Sequence, residues 1–207
     1  MSRISHSRLH LFICLFLGFF IAISQSSFAQ TVTTTGSGNW SSNVPNAPWP
    51  GGVIPGAGAD IIIGDGFTLT VDGPRTCNSM RINNGSTLSA NATLTVTTGV
   101  NIPNYAGISS THNITGSGTI NSATASIGNT TDPVADPLIV TVVANIRTWN
   151  VAGNFTLAAR RVGTNDSNPV LEIASGTINI GGTLICNTAA FAPSTTTVTL
   201  NAGGVET

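Results

Sequence analysis

Short units in which apolar and polar residues alternate run along most of the chain, and turns rich in glycine and asparagine separate them. Met80-Arg81-Ile82 is typical, because its two apolar side chains would lie on the same side of an extended backbone. A period of two predicts β-strands that turn one face toward a core. No segment after Ala29 keeps a helically spaced apolar stripe over more than one turn. Further units lie at 61–63, 67–72, 87–89, 92–96, 113–115, 118–121, 138–143, 149–151, 154–157, 170–173, 176–180, 183–186 and 197–200.

The spacing of these units, roughly every 10 to 14 residues, fits two all-β architectures. The turn chemistry favours a right-handed parallel β-helix, that is, a β-solenoid. Stacked coils tolerate small polar residues, asparagine ladders and glycine corners, because similar residues lie directly above and below them. A β-sandwich, whose outer faces usually mix charged and aromatic residues, stays open as the alternative.

The first residues have the three-part layout of a secretory signal peptide. Arg3 and Arg8 give a positive start, Leu9 to Ile23 form an apolar run, and small residues follow up to Ala29. The apolar run is shorter than the roughly 20 residues that a membrane-spanning helix needs. We therefore expect cleavage between Ala29 and Gln30, no membrane span in the mature chain, and a secreted or outer-surface location.

Three regions follow from this pattern. Residues 1–29 are the signal peptide, residues 30–50 form a leader rich in Thr, Ser, Asn and Pro, and residues 51–207 form the β-repeat domain. The last residues end after a strand-and-turn unit without a capping pattern, although open solenoid ends are usually covered. We expect the repeat domain either to be truncated at this end or to stack on a partner.

Charge is sparse in the predicted mature chain. Residues 30–207 contain five arginines and no lysine against eight acidic residues, which gives a net charge of −3. Binding to nucleic acid requires a dense basic surface, so nucleic acid is excluded as a partner. Extracellular glycans or other surface proteins are the expected partners.

Cys77 and Cys186 are the two cysteines of the predicted mature chain. Export permits a disulfide, but residues so far apart in a solenoid would lie several coils apart at about 4.8 Å per coil. That separation exceeds the roughly 7 Å between α-carbons that a disulfide tolerates. The solenoid therefore predicts two unbridged cysteines, whereas a sandwich could join them.

A longer stretch of the sequence resembles a known family. The relevant segments are Asn39-Trp40, the run from Trp49-Pro50-Gly51-Gly52 to Asp60-Ile61-Ile62-Ile63, Gly66 to Asp72, Cys77 to Ile82, and Gly85 to Leu88. They resemble the N-terminal part of large secreted surface proteins of Bacteroidetes, adhesin-like β-helix proteins exported by type IX secretion. They are also similar, more distantly, to the eight-glycine extracellular domain. The resemblance covers about residues 39–100, and the chain shows no C-terminal sorting domain of the type IX kind, which agrees with truncation.

Candidate catalytic and metal-binding groups are few. His112 is the only histidine after residue 29, so neither a histidine-based metal site nor a catalytic triad has a second candidate. The acidic groups Asp60/Asp65/Asp72 and Asp132/Asp136 lie beside Gly or Pro, where aspartate commonly serves as a turn residue. Loop carboxylates and carbonyls would suit a hard cation such as calcium, but no EF-hand or nonapeptide motif is present. We predict no cofactor and no catalytic activity.

Two features suggest binding functions. Trp40, Trp49 and Trp149 could stack on sugar rings if they were exposed, although aromatic core residues are the commoner role. Thr-x-Thr triplets could form an ice-binding array if they stacked regularly, and they lie at 68–70, 93–95, 95–97 and 197–199. The sequence thus predicts a non-enzymatic, adhesin-like structural module, with a carbohydrate-binding or carbohydrate-active β-helix protein and an ice-binding protein as alternatives.

Overall fold

A computed structural model of the chain describes residues 30–103, 109–128, 138–158, 160–162, 165–187 and 199–202. The predicted signal peptide lies outside these ranges. The described residues contain no α-helix, and their single helical element is a short 3-10 turn at Pro50–Gly52. The strands are β1 (Thr31–Thr33), β2 (Gly38–Asn39), β3 (Asp60–Ile63), β4 (Thr68–Val71), β5 (Arg75–Ile82), β6 (Thr87–Ala90), β7 (Leu94–Ile102), β8 (Ser110–Gly128), β9 (Leu138–Val151), β10 (Phe155–Ala158), β11 (Arg160–Val162), β12 (Asn165–Ile180), β13 (Leu184–Asn187) and β14 (Thr199–Ala202).

The strands stack coil on coil into a parallel β-solenoid. Each complete coil contributes one extended segment to each of three faces, which we call A, B and C. Face A runs from β1 through β3 and the second half of β5 to β13, and face B runs from β2 through β4 and β6 to β14. Face C begins with the first half of β5 and continues through β7, β8, β9 and β12.

The predicted β-solenoid is therefore confirmed, and the β-sandwich alternative is wrong. A sandwich is built from antiparallel sheets, whereas the ladders here join each segment in parallel to its equivalent in the next coil. The antiparallel pair among the described strands joins β11 to β12, where the chain leaves and re-enters the stack.

The core is a column of apolar side chains that follows from the two-residue period. On face A, one register position is occupied in successive coils by Val32, Ile61, Met80, Val100, Ala125 and Phe155, all of them buried. Face B places Leu69, Leu88, Ile114 and Ala144 in the same way. Burying one large aliphatic side chain stabilises the fold by about 1.5–3 kcal/mol. Because each coil buries equivalent side chains, successive coils contribute similar amounts of stabilisation.

Cys77 belongs to this core. It lies on face C as a free, fully buried thiol, and burial followed by the nearby charge of Asp60 raises its pKa to about 12. The backbone of Cys186 pairs with Leu157 on face A, and its side chain lies outside the described part of the structure. The free Cys77 agrees with the predicted absence of a disulfide, and its raised pKa makes it a poor nucleophile.

The segment predicted as a leader, residues 30–50, contributes to the solenoid itself. β1 pairs with β3 and β2 pairs with β4, so the sheet begins at Thr31 and not at residue 51. The threonine-rich composition hid these strands, because only Val32 in β1 is buried while Thr31 and Thr33 are exposed.

Residues 40–52 replace the face C segment of the first coil and form an N-terminal cap. The Trp40 amide donates to the Thr70 carbonyl at 2.7 Å, and the Thr35 amide donates to the Pro48 carbonyl at 2.9 Å. The Ser41 amide and hydroxyl both donate to the Asp72 carboxylate, the amide at 3.1 Å. These bonds fasten the cap to the end of the stack, where an uncovered coil would expose apolar side chains.

Tight backbone contacts fix the corners between faces. Gly116, between faces B and C, has φ of +119°, and a β-carbon at this position would collide with the Ala90 carbonyl of the coil below. Gly66 also has a positive φ of +71°, but open space surrounds it.

We expect Gly116→Ala to lower the free energy of unfolding by at least about 2–3 kcal/mol, because backbone strain and overpacking both act there. Gly66→Ala should cost about 1–2 kcal/mol from strain alone. Gly56→Ala, at an open position without positive φ, should be close to neutral. Urea unfolding followed by circular dichroism measures all three. Equal effects at Gly116 and Gly56 would show that the corner is not held as described.

Candidate functional site

The three tryptophans that the sequence predicts as ligand-binding residues are core residues. Trp40 is 1 % exposed, and Trp49 and Trp149 are 0 % exposed. The Trp49 indole nitrogen donates to the Trp40 carbonyl at 2.8 Å, and the two rings meet edge to face at 5.2 Å. Trp149 packs edge to face on Phe155 at 5.4 Å and donates to the Ser122 hydroxyl at 3.1 Å. None of them presents a ring face to solvent, so their assignment to sugar stacking is corrected.

His112 and Ser110 lie together inside the solenoid near the start of β8. The Ser110 hydroxyl is 2.8 Å from His112 Nε2, since residues two apart on a strand share a face. His112 is fully buried and Ser110 is 6 % exposed. Burial lowers the pKa of His112 from its ordinary value of 6.5, against a smaller opposing effect of the Asn83 backbone. A substrate would have no access to this pair in the folded chain.

Two of the described acidic side chains, those of Asp60 and Asp72, serve local structure. Asp60 accepts hydrogen bonds from the Ser79 hydroxyl at 2.6 Å and the Asn78 amide at 2.7 Å, and these bonds lower its pKa. At Asp72, burial acts to raise the pKa, but the Ser41 hydrogen bonds and the Arg75 charge lower it. The described part of the chain contains no group of three His, Cys, Asp or Glu side chains able to hold a metal ion. Asp132 and Asp136 lie outside the described residues.

The threonine triplets do not stack into a uniform array. On face B, Thr68-Leu69-Thr70 lies over Thr87-Leu88-Ser89, and Asn113-Ile114-Thr115 follows in the next coil. The coil after that places Val143 and Asn145 at the outward positions, which ends the row of hydroxyl groups. The triplet at 197–199 lies mostly outside the described residues.

A different row of side chains provides the most regular polar surface. Asn121, Asn150 and Asn179 occupy the same outward position of face C in three successive coils. The Asn150 amide nitrogen donates to Asn121 Oδ1 at 2.8 Å, and the Asn179 amide nitrogen donates to Asn150 Oδ1 at 2.8 Å. Thr95 precedes them at the same position in the coil below Asn121. This asparagine ladder fixes the orientation of each side-chain amide.

A trough of about 470 Å³ runs along this ladder. One wall is formed by Thr95 and the three asparagines. Val96, Ser122 and Val151 also line the trough. The lining is completed by the residues next along each coil, which we call the floor residues: Thr97, Ala123, Ala152 and Gly181. Because three of the four floor residues are Ala or Gly, the asparagine row stands above an open strip. We call this feature the amide trough, and none of the lining residues in the described part of the chain is charged.

The sequence pattern predicts the strands that carry the ladder but not the ladder itself. The sequence feature that could have predicted the ladder is an asparagine between two inward-facing residues that recurs after 29 residues. It occurs from Asn121 to Asn150 and again from Asn150 to Asn179. The coil that joins Thr95 to Asn121 is shorter, so the same interval does not extend to Thr95. Only the parallel register shows that Thr95 continues the row.

Comparisons of the chain with models of protein families, with curated proteins and with solved structures found no match. Among the described residues, no helix has the length and apolar character needed to cross a membrane. The fold and the geometry of the amide trough are therefore the basis for a functional proposal.

The burial of all three tryptophans predicts a blue-shifted fluorescence emission with weak quenching by acrylamide, because water and quencher cannot reach the indoles. Trp149→Ala should lower the free energy of unfolding by about 3–5 kcal/mol, whereas Val44→Ala, at a side chain 57 % exposed, should change it little. Strong quenching in the folded chain, or a small cost for Trp149→Ala, would contradict the core assignment.

The buried His112 predicts a loss of stability in mild acid. The unfolded chain takes up a proton at His112 near pH 6.5, whereas the folded chain keeps the ring neutral to lower pH. The unfolded state then binds more protons, so the free energy of unfolding should fall as pH decreases from about 7 to 5. His112→Gln should flatten this slope, since no other histidine follows residue 29. Urea unfolding at several pH values measures this slope. If the slope of the free energy of unfolding against pH is the same in His112→Gln, His112 is not the group responsible.

Proposed function

We propose that this protein is an exported, cell-surface structural module of the adhesin-like type, without catalytic activity. The observation that carries the proposal is the continuous parallel stacking of face A from β1 to β13. Each coil satisfies backbone hydrogen bonds of its neighbours, so a surface of any length can be built by repetition.

The outer surface supports the same function. The chain has only 7 % charged residues, and the outward positions of faces B and C are mainly Thr, Ser and Asn. Neutral polar side chains stack over one another at short spacing without the repulsion that like charges would cause. The resulting surface is regular and sparsely charged, as suits a spacer or contact surface outside the cell.

A carbohydrate-binding protein on the same fold is the second candidate. Its supporting observation is the amide trough, because the buried tryptophans cannot supply the stacking platform that the sequence suggested. A carbohydrate-active enzyme would need two carboxylates placed on either side of a bond. Asp60 and Asp72, two of the acidic residues whose side chains the structure describes, are instead held by Asn78, Ser79 and Ser41.

The proposal predicts export of the full chain and fold-dependent adhesion. The precursor, residues 1–207, would be produced in a Gram-negative host and the exported product sequenced from its N-terminus, which we expect to be Gln30. Beads coated with this product should be retained under flow on at least one glycan-, protein- or lipid-coated surface, without release of soluble sugar. Beads carrying the Gly116→Ala variant should lose retention at temperatures where that variant is unfolded.

Two results would overturn the proposal. One is a chain that stays unprocessed inside the host, since export is a premise of a surface function. The other is release of reducing sugars from a polysaccharide surface, lost on heating, which would indicate an enzyme.

A further inference from the structure

The amide trough has the geometry of a linear binding site. Thr95, Asn121, Asn150 and Asn179 project from four successive coils. At about 4.8 Å per coil, their row extends roughly 14 Å along the solenoid axis. A ligand that contacts the whole row must therefore be an extended chain lying across the strands.

The ladder leaves hydrogen-bonding groups free to meet such a ligand. A side-chain amide has two N–H donors and two acceptor positions on its oxygen. Asn150 uses one donor toward Asn121 and one acceptor position toward Asn179, which leaves one of each. Because the ladder already fixes the amides, little side-chain entropy is lost when a ligand binds.

The charge of the trough lining restricts the class of ligand that can bind there. The described residues that line the trough include no charged side chain. A polyanion such as a nucleic acid or an acidic polysaccharide would lose hydration there without gaining an ion pair, which is unfavourable. The ligand should be polar and uncharged.

The spacing of the amides along the solenoid axis restricts the class of ligand further. In an extended peptide, the hydrogen-bonding groups on one edge recur every two residues, that is, about every 6.6–6.8 Å. This repeat does not match a row of amides about 4.8 Å apart. Every ring of an extended pyranose chain carries several hydroxyl groups, so such a chain can offer a hydrogen-bonding group to each amide of the row. Its apolar C–H groups suit the Ala123, Ala152 and Gly181 floor beside the amides.

We propose that the amide trough binds a single extended chain of an uncharged polysaccharide, aligned with the solenoid axis. Asn121, Asn150 and Asn179 would hydrogen-bond its hydroxyl groups, and the small floor residues would admit its rings. This inference rests on the proposed surface function only in that export brings the protein to such polymers.

Ala152→Phe is the sharpest test variant, because Ala152 is exposed and a large side chain there fills the trough without removing a ladder amide. Ala57→Phe is the matched control, since Ala57 is also exposed but lies in the loop before β3, outside the trough. Asn150→Leu removes the central amide at similar volume. Thermal unfolding of each variant checks that the fold is kept.

Affinity electrophoresis of the exported chain through gels containing mannan, xylan, dextran or amylose measures binding, with polygalacturonate and hyaluronate as charged comparisons. We expect at least one uncharged polymer to retard the chain, and both charged polymers to leave it unretarded. Ala152→Phe and Asn150→Leu should weaken retardation by at least about tenfold in dissociation constant, and Ala57→Phe should not.

Three results would overturn the inference: no retardation by any uncharged polymer, equal retardation by the charged ones, or binding that Ala152→Phe leaves unchanged. Failure here is distinguishable from failure of the proposed function. If Ala152→Phe beads still adhere as the parent chain does, the surface function stands and the trough is not its binding site. If the parent chain is not exported, the surface function fails whatever the gels show.

Discussion

Hydrogen bonding between equivalent backbone segments of successive coils is the constraint on which the rest of this structure depends. In a parallel ladder, each strand must keep its register with the strand above and the strand below. A slip of one residue would turn every buried side chain outward. The apolar column through Ile61, Met80 and Val100 therefore exists only while the registers of β3, β5 and β7 agree. Corners such as Gly116 keep that agreement by letting one coil approach the next closely.

The first described coil has a neighbouring coil on one side only, so its apolar side chains need a cover, and the cap provides this cover. The first coil has no face C strand, so residues 40–52 take its place. Trp40 continues the ladder through its bond to Thr70, and Trp49 is bonded to Trp40 in turn. Two large indoles close an area that a strand would otherwise cover. This need for a cover explains why aromatic residues of an aromatic-poor chain are buried there.

Regular stacking also organises the outer surface. Residues that occupy one register position inside the core have neighbours that occupy one register position outside it. The asparagine ladder on face C is the outward counterpart of an inward-facing column that includes the buried Ile120 and Trp149 and the partly buried Ile178. A regular core therefore gives a regular row of amides, and the proposed surface function and glycan site both rest on that regularity. Sparse charge is part of the same arrangement, because stacked like charges would oppose each other.

The sequence by itself determined the β class and favoured a parallel solenoid with an unbridged Cys77, because alternation of apolar and polar residues and the chemistry of turns are local properties. The tertiary structure decided which residues stack. The interval between stacked residues varies along the chain, from 19 at Asp60 and Ser79 to 29 at Asn121 and Asn150, since insertions at the corners differ from coil to coil. Strand pattern alone therefore could not place Thr95 in line with the asparagines. Nor could it show that the tryptophans of residues 30–50 face inward, because burial depends on the coil they cover and not on their neighbours in sequence.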